Sequence, residues 1–220
     1  CEEVLGGDFG EPVQEGTKEL PVTPEAVIEE LDRLTSGEAI ITTEVGQTQM
    51  WAAQYYKCRN PRSFISSGGL GTMGYGLGAK TGNPDKTVVN MAGDGSFAMN
   101  LNELISAAAH GINIIEIVMN NNVLGMVRQW QRLFYSKHFS ETTLDARHID
   151  YVKLGDAFGV KTFVIEKTED ITPVLTEALS ISKSAPVMIE VRIDRDINVL
   201  PMIPAGKPVV NPITSIDLEA

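Results

Sequence analysis

The residues that could do chemistry cluster at the ends of two apolar runs. Val88-Val89-Asn90-Met91-Ala92 leads into Gly93-Asp94-Gly95-Ser96, and 24 residues separate Gly95 from Asn120, where the next run closes in Asn120-Asn121-Asn122. If both runs are strands of an open parallel sheet, Asp94 and Asn121 stand at neighbouring carboxyl ends, the place where such sheets bind ligands. A carboxylate and an amide oxygen converging on one point are hard donors of the kind Mg²⁺ takes. Magnesium holds about six oxygens at roughly 2.0–2.1 Å and seldom draws them all from protein, so phosphates and water complete its shell. Gly95 and Ser96 begin a helix whose free N–H groups favour a phosphate beside the metal. The pattern predicts a metal-bridged diphosphate.

A second motif competes with this reading. Gly69-Leu70-Gly71-Thr72-Met73-Gly74 spells the G-x-G-x-x-G of dinucleotide-binding folds, follows the short run Phe64-Ile65-Ser66, and has Asp94 20 residues beyond Gly74, where those folds hold a ribose. Three glycines at this spacing arise readily by chance in a chain with 20 of them, and a ribose-binding Asp94 leaves the asparagine run unexplained. The diphosphate reading explains more residues.

The elements that must position these groups follow from apolar period and length. Helices are expected over Pro24–Leu34, Thr48–Lys57, Thr72–Lys80, Asn100–His110, Gly125–Leu133, Tyr151–Phe158 and Ile171–Ser182. Strands are expected over Ala39–Val45, Ser63–Ser66, Thr87–Ala92, Asn113–Met119, Lys161–Ile165 and Pro186–Ile193. Runs such as Ile114-Ile115-Glu116-Ile117-Val118 are almost continuously apolar, as parallel strands covered on both faces are. The expectation is a doubly wound α/β fold with about six parallel strands and helices on both faces, over residues 23–193. Residues 1–22, rich in Gly and Pro, read as a linker from missing upstream domains, and residues 194–220, with Pro201, Pro204, Pro208 and Pro212, as a C-terminal arm. Either a disordered end or an arm laid over a site fits that tail.

Composition narrows the partners. The 18 Lys and Arg against 29 Asp and Glu give a net charge of −11, which argues against nucleic acid. No apolar run approaches the ~18 residues of a membrane span, so no membrane partner is expected. Cys1 and Cys58 are too few for a disulfide scaffold and fit the cytoplasm. A chain starting at Cys1 reads as a piece of something longer.

Gly-Asp-Gly, some two dozen residues, then Asn-Asn resembles the metal motif of the thiamine-diphosphate enzymes. Val45-Gly46-Gln47, Gln49-Met50-Trp51-Ala52-Ala53-Gln54, Ser67-Gly68-Gly69-Leu70-Gly71-Thr72-Met73-Gly74 and Leu124-Gly125-Met126-Val127-Arg128-Gln129-Trp130-Gln131 are similar to the acetohydroxyacid (acetolactate) synthase large-subunit family. The likeness covers about residues 24 to 205 and implies the C-terminal cofactor-binding domain. The pyrimidine-activating and FAD-associated domains fall outside this sequence, so FAD belongs to those other parts.

That resemblance implies roles residue by residue. Asp94 and Asn121 bind Mg²⁺ through side chains and Val123 through its carbonyl, while Gln47, Gly93, Gly95 and Ser96 hold the diphosphate. Thr48 stands beside them where the family usually has His. The Gly71 carbonyl and Met73 N–H take the aminopyrimidine edge, the Met73 side chain supports the bent cofactor, Met126 joins the cofactor contacts, and Trp130 shapes the second keto-acid pocket. The helix after Gly76-Leu77-Gly78 is about one turn shorter than in family members.

The implied reaction is condensation of decarboxylated pyruvate with pyruvate or 2-ketobutyrate, in branched-chain amino-acid biosynthesis. Partners implied are 2-keto acids, the activating domain of a neighbouring subunit in a homo-oligomer, and a regulatory small subunit. The β chain of a two-subunit keto-acid decarboxylase and a non-catalytic cofactor-binding module are the competing readings. No catalytic residue is expected in this chain, because the family's activating glutamate lies in the other domain. Glu44 is expected on the diphosphate side, as a solvated or hydrogen-bonded strand-end residue.

Overall fold

The computed structural model describes residues 22–146 and 149–215; most of the expected linker lies outside them, and Val22, at its boundary, is buried in the core. Helix α1 (Pro24–Thr35) shows how local sequence sets an element. The Thr23 hydroxyl accepts from Ala26 N–H at 3.2 Å, Pro24 supplies a helical φ in the first turn, and Ser36 ends the helix in the left-handed region. Its buried face of Val27, Ile28 and Leu31 packs on the sheet side that α2 (Gln47–Tyr55) and α8 (Ile171–Ile181) also cover.

The sheet has the six parallel strands expected. They are β1 (Ile40–Thr43), β2 (Phe64–Ser66), β3 (Val88–Gly93), β4 (Ile115–Asn120), β5 (Lys161–Ile165) and β6 (Val187–Arg192), in spatial order β2-β1-β3-β4-β6-β5. Alternation along the strands divides the core. Ile41, Val89, Met91, Ile115, Ile117, Ile189 and Val191 face α1, α2 and α8. Ala92, Val118 and Met188 pack with Phe97 of α4 (Asp94–Asn100), Leu104 of α5 (Glu103–His110) and Tyr151 of α7 (Tyr151–Phe158). On this second face the register brings Thr42, Asn90 and Glu116 side by side across three strands, all buried.

Two expected helices are corrected. The span Thr72–Lys80 is not one helix: the chain runs irregularly through Tyr75, makes a 3₁₀ turn at Gly76–Gly78 and adds a single turn, α3 (Ala79–Gly82). The physical reason is competition for its peptide groups. Gly71 and Gly74 take positive φ, and the N–H groups of Gly74, Tyr75 and Gly76 all donate to the carboxyl group of Glu44 instead of to a helical turn. The span Asn100–His110 is also divided, α4 ending at Asn100 and α5 starting at Glu103, and the Asn100 side chain donates to the Gly74 carbonyl at 2.9 Å.

Among residues 194–215 there is no helix or strand, only an isolated bridge between Met202 and Ile213. The arm is nonetheless tied down. Asp196 pairs with Arg128 at 3.2 Å and with Arg132, both on α6 (Gly125–Phe134), and Gln54 of α2 donates to Leu200 O at 3.2 Å.

Candidate cofactor site

After β1 the chain moves to β2 on one side, and after β3 it moves to β4 on the other, so the connections diverge between β1 and β3. A crevice opens at such a switch point. Helices α2, α4 and α6 all start there, after β1, β3 and β4; α2 and α6 have no side-chain cap, while at α4 the Ser96 hydroxyl accepts the Gly93 N–H at 3.1 Å. Of the helices that start elsewhere, α1 and α7 are capped by Thr23 and Asp150, and α5 and α8 have no side-chain cap. First-turn N–H groups without intrahelical partners are suited to an anion, and here three sets of them converge.

The crevice encloses about 280 Å³. Gln47 and Thr48 line it from the start of α2; Gly93, Asp94, Gly95 and Ser96 from the β3–α4 junction; Asn121, Val123 and Met126 from the β4–α6 connection; and Met73 from the irregular loop. Asp94 Oδ1 accepts the Gly95 N–H at 2.8 Å, and among the described residues no Lys or Arg pairs with it. Burial therefore pushes its carboxyl group up to about 6, against backbone hydrogen bonds that pull it down. Asn121 Oδ1 accepts the Val123 N–H at 3.1 Å and retains a lone pair. No cluster of three or more His, Cys, Asp or Glu stands among the described residues, so a cation here must take amide, carbonyl and ligand oxygens around one carboxylate. That donor set fits magnesium shared with a diphosphate and fits zinc poorly.

Residues 44–191 match the family described as thiamine pyrophosphate enzyme, C-terminal TPP binding domain. The chain belongs to this family. It is 42% identical over 199 residues to the mitochondrial acetolactate synthase catalytic subunit of Saccharomyces cerevisiae, covering 87% of this chain and 28% of that protein. It is 41% identical over 189 residues to the acetolactate synthase large subunit of Lactococcus lactis (84% and 32%). A probable acetolactate synthase large subunit of Methanococcus aeolicus is 39% identical over 207 residues (90% and 34%). The chain thus spans about a third of the length of these relatives.

In this thiamine pyrophosphate domain Gln47 sits at a junction of three segments. Its Nε2 donates to Gln129 Oε1 at 2.9 Å and to Ile197 O at 3.1 Å, while its Oε1 is buried without a partner in the crevice wall. Gln129 in turn accepts the Val199 N–H and donates to Val199 O, each at 2.9 Å. The arm therefore braces two crevice-lining helices through one pair of amides. Thr48 is buried close to Gly93, where a hydroxyl occupies the wall of the same crevice.

Two expected site residues stand apart from the crevice lining of the domain. Gly71 lies on the exposed loop at φ 65°, its N–H donating to Ser67 O at 2.9 Å. Trp130 is 44% exposed on the outer face of α6, with its ring edge-on to Phe134 at 6.3 Å. The sequence reading missed Trp51 and Leu124, which also line the crevice, and missed the role of Gln129; it expected Glu44 as a strand-end residue, solvated or hydrogen-bonded, and the structure shows it hydrogen-bonded. Glu44 turns away from the diphosphate side: it is buried, with its carboxyl group under the loop of residues 74–76. The only local hint was a charged residue directly after a buried strand. Among the described residues no helix is long and apolar enough to cross a membrane.

Proposed function

We propose that this chain is the cofactor-binding part of an acetolactate synthase catalytic subunit, holding Mg²⁺ and the diphosphate of thiamine diphosphate. One observation carries the reading: Asp94 and Asn121, at the ends of adjacent strands, face one crevice in which three helices begin. Asp94, Asn121 and the Val123 carbonyl hold the metal; Gln47, Thr48, Gly93, Gly95 and Ser96 hold the phosphates; Met73 and Met126 hold the rest of the cofactor, with Gly71 meeting its outer edge from the exposed loop. Bound thiamine diphosphate supplies the electron sink that lets pyruvate lose CO₂ and the two-carbon unit join a second 2-keto acid.

Trp130, on the outer face of α6, shapes the pocket for that second keto acid once other parts of the enzyme cover it. Those parts supply the activating glutamate, from a neighbouring subunit of a homo-oligomer, and the FAD site, and a regulatory small subunit binds outside them. The relatives' names, a catalytic subunit in one case and large subunits in two, support a multi-subunit enzyme, and each carries the matched region within a longer chain. The cytoplasm is the proposed location, on the two-cysteine content.

Thermal unfolding tests the reading. Thiamine diphosphate with Mg²⁺ at ~100 times its dissociation constant stabilises by about 2.7 kcal/mol. EDTA abolishes the effect, Asp94→Ala removes it, and NAD gives none. Stabilisation by NAD and not by thiamine diphosphate would overturn the assignment.

A further inference from the structure

Two buried glutamates meet beneath the loop that carries Met73 into the crevice. Glu44, at the end of β1, accepts N–H groups on both carboxyl oxygens: Oε2 from Gly74 and, at 3.3 Å, from Tyr75, and Oε1 from Gly76 at 2.8 Å. A carboxylate offers acceptors on both oxygens and no donor, which is what three converging N–H groups require. Glu116, the second residue of β4, shares a small cavity with Glu44, Asn90 and Asn100. It is fully buried, and both of its oxygens lie 2.9–3.0 Å from one end of the Asn90 amide.

Full burial beside the Glu44 carboxyl group, with no Lys or Arg paired to it among the described residues, favours the neutral form of this second acid, and one arrangement of hydrogens accommodates it. Thr42 Oγ1 lies 3.0 Å from Gly76 O and 2.7 Å from the other end of the Asn90 amide. A hydroxyl has one proton and cannot serve two acceptors, so with Oδ1 toward Thr42 one acceptor goes unpaired. Turning the amide by 180°, an exchange of O and N that ordinary coordinates do not distinguish, lets Nδ2 donate to Thr42 and frees the hydroxyl for Gly76 O. Asn90 Oδ1 then faces Glu116, which must carry the proton that bonds it. The chain then reads Glu116 O–H to Asn90, Asn90 N–H to Thr42, Thr42 O–H to Gly76 O. Burial, helped by the negative Glu44 nearby, holds Glu116 well above the usual carboxylate range, in agreement. Gly76 packs so closely on Asn90 that a Cβ there would overlap its amide.

We propose that Glu44 as a carboxylate and Glu116 as a neutral acid are paired positioning residues, gripping the loop of residues 74–76 by its N–H groups and by its Gly76 carbonyl, and so setting Met73 against the cofactor. The proposal rests on the crevice being the thiamine diphosphate site. It makes the same carboxyl-to-amide change act oppositely at the two positions. Gln at 116 still donates to Asn90, whereas Gln at 44 replaces one acceptor oxygen by a donor pointing at N–H groups.

Calorimetric titration of the 220-residue chain with Mg²⁺ and either thiamine diphosphate or inorganic pyrophosphate separates the cases. Glu44→Gln should weaken thiamine diphosphate at least tenfold and leave pyrophosphate, held at the far end of the crevice, within twofold. Glu116→Gln should change neither by more than about twofold, and Glu116→Leu should behave as Glu44→Gln does. Equal losses for both ligands in Glu44→Gln would mean a general structural role, and a Glu116→Gln variant as weak as Glu44→Gln would mean an ionised Glu116; either overturns the proposal. Two readouts decide it even if the unaltered chain binds neither ligand, a result that would count against the site assignment alone. Infrared difference spectra at neutral pH should show a protonated carboxyl band that Glu116→Gln abolishes, and amide exchange at Gly74 and Gly76 should accelerate in Glu44→Gln. The absence of the band, or unchanged exchange, sinks the proposal.

Discussion

Gln47 and Gln129 join side chain to side chain at 2.9 Å, linking the helix that follows β1 to the helix that follows β4 across the crevice. Gln129 is also the partner of both backbone groups of Val199. A buried backbone group without its partner costs about 1–3 kcal/mol. Gln129→Leu should therefore destabilise by about 3 kcal/mol, read as an equal loss in urea unfolding with unchanged slope. A loss below about 1 kcal/mol would mean that water or a rearranged arm replaces the amide.

The stability of the chain should depend on pH through Glu116. Its folded pKa is raised well above the ordinary 4.5 by burial, so the folded state binds a proton where the unfolded state has lost one. That contribution is complete below pH 4.5 and declines by about 1.4 kcal/mol per pH unit as pH rises toward the folded value. Glu116→Gln keeps the hydrogen bond and cannot ionise, so the difference in unfolding free energy between it and the unaltered chain should grow with pH above 4.5. Parallel profiles across pH 5 to 8 would contradict the assignment.

Trp130 separates stability from selectivity. Its exposed ring touches Phe134 edge-on, a contact worth about 0.5–1.5 kcal/mol. Trp130→Leu should cost no more than that in folding, yet in an intact acetolactate synthase carrying this sequence it should lower the preference for 2-ketobutyrate over pyruvate by about 1–3 kcal/mol, the scale of one methylene in an apolar pocket. The product ratio in a competition assay reads the effect, and an unchanged ratio would confine Trp130 to the helix surface.

The chain alone should make no acetolactate at an enzymatic rate. Two buried glutamates lie beneath the loop that carries Met73: Glu44 is engaged by backbone N–H groups and Glu116 is sealed in the sheet, and neither lines the crevice. Neither can reach the crevice as an acid–base group, and loss of such a group costs roughly 10²–10⁴ in rate. Acetolactate formation from pyruvate, measured beside an intact enzyme, should be slower by at least this factor; turnover within tenfold would reveal a base overlooked in this chain.

The strands and the placement of Asp94 and Asn121 at neighbouring strand ends were legible because each rests on a local pattern. Ile115 to Met119 is apolar on both faces, and the spacing of Asp94 and Asn121 survives any error in element ends. The loop after Gly71 was misread because its peptides are claimed by Glu44, Thr42 and Asn100, residues that lie some 25 to 35 positions away and carry no helical period of their own. Gln129 was hidden for a similar reason: an amide in an amphipathic helix looks like a surface residue until Val199, 70 positions on, closes over it. Long-range polar partners leave no period in the sequence, whereas apolar burial does.

The strand order also has a consequence for how this domain is made. Strand β4 pairs on one side with β3, which precedes it, and on the other with β6, Ile115 lying opposite Val187. Synthesis at roughly 5–20 residues per second leaves that second edge of β4 bare for several seconds after the strand emerges. Its sequence, Ile115-Glu116-Ile117-Val118-Met119, is apolar apart from one acid, which burial in the finished fold holds well above the usual carboxylate range. In the nascent chain the same glutamate is solvated and charged, so a residue that hydrogen-bonds in the native sheet serves beforehand as a gatekeeper against edge-to-edge association.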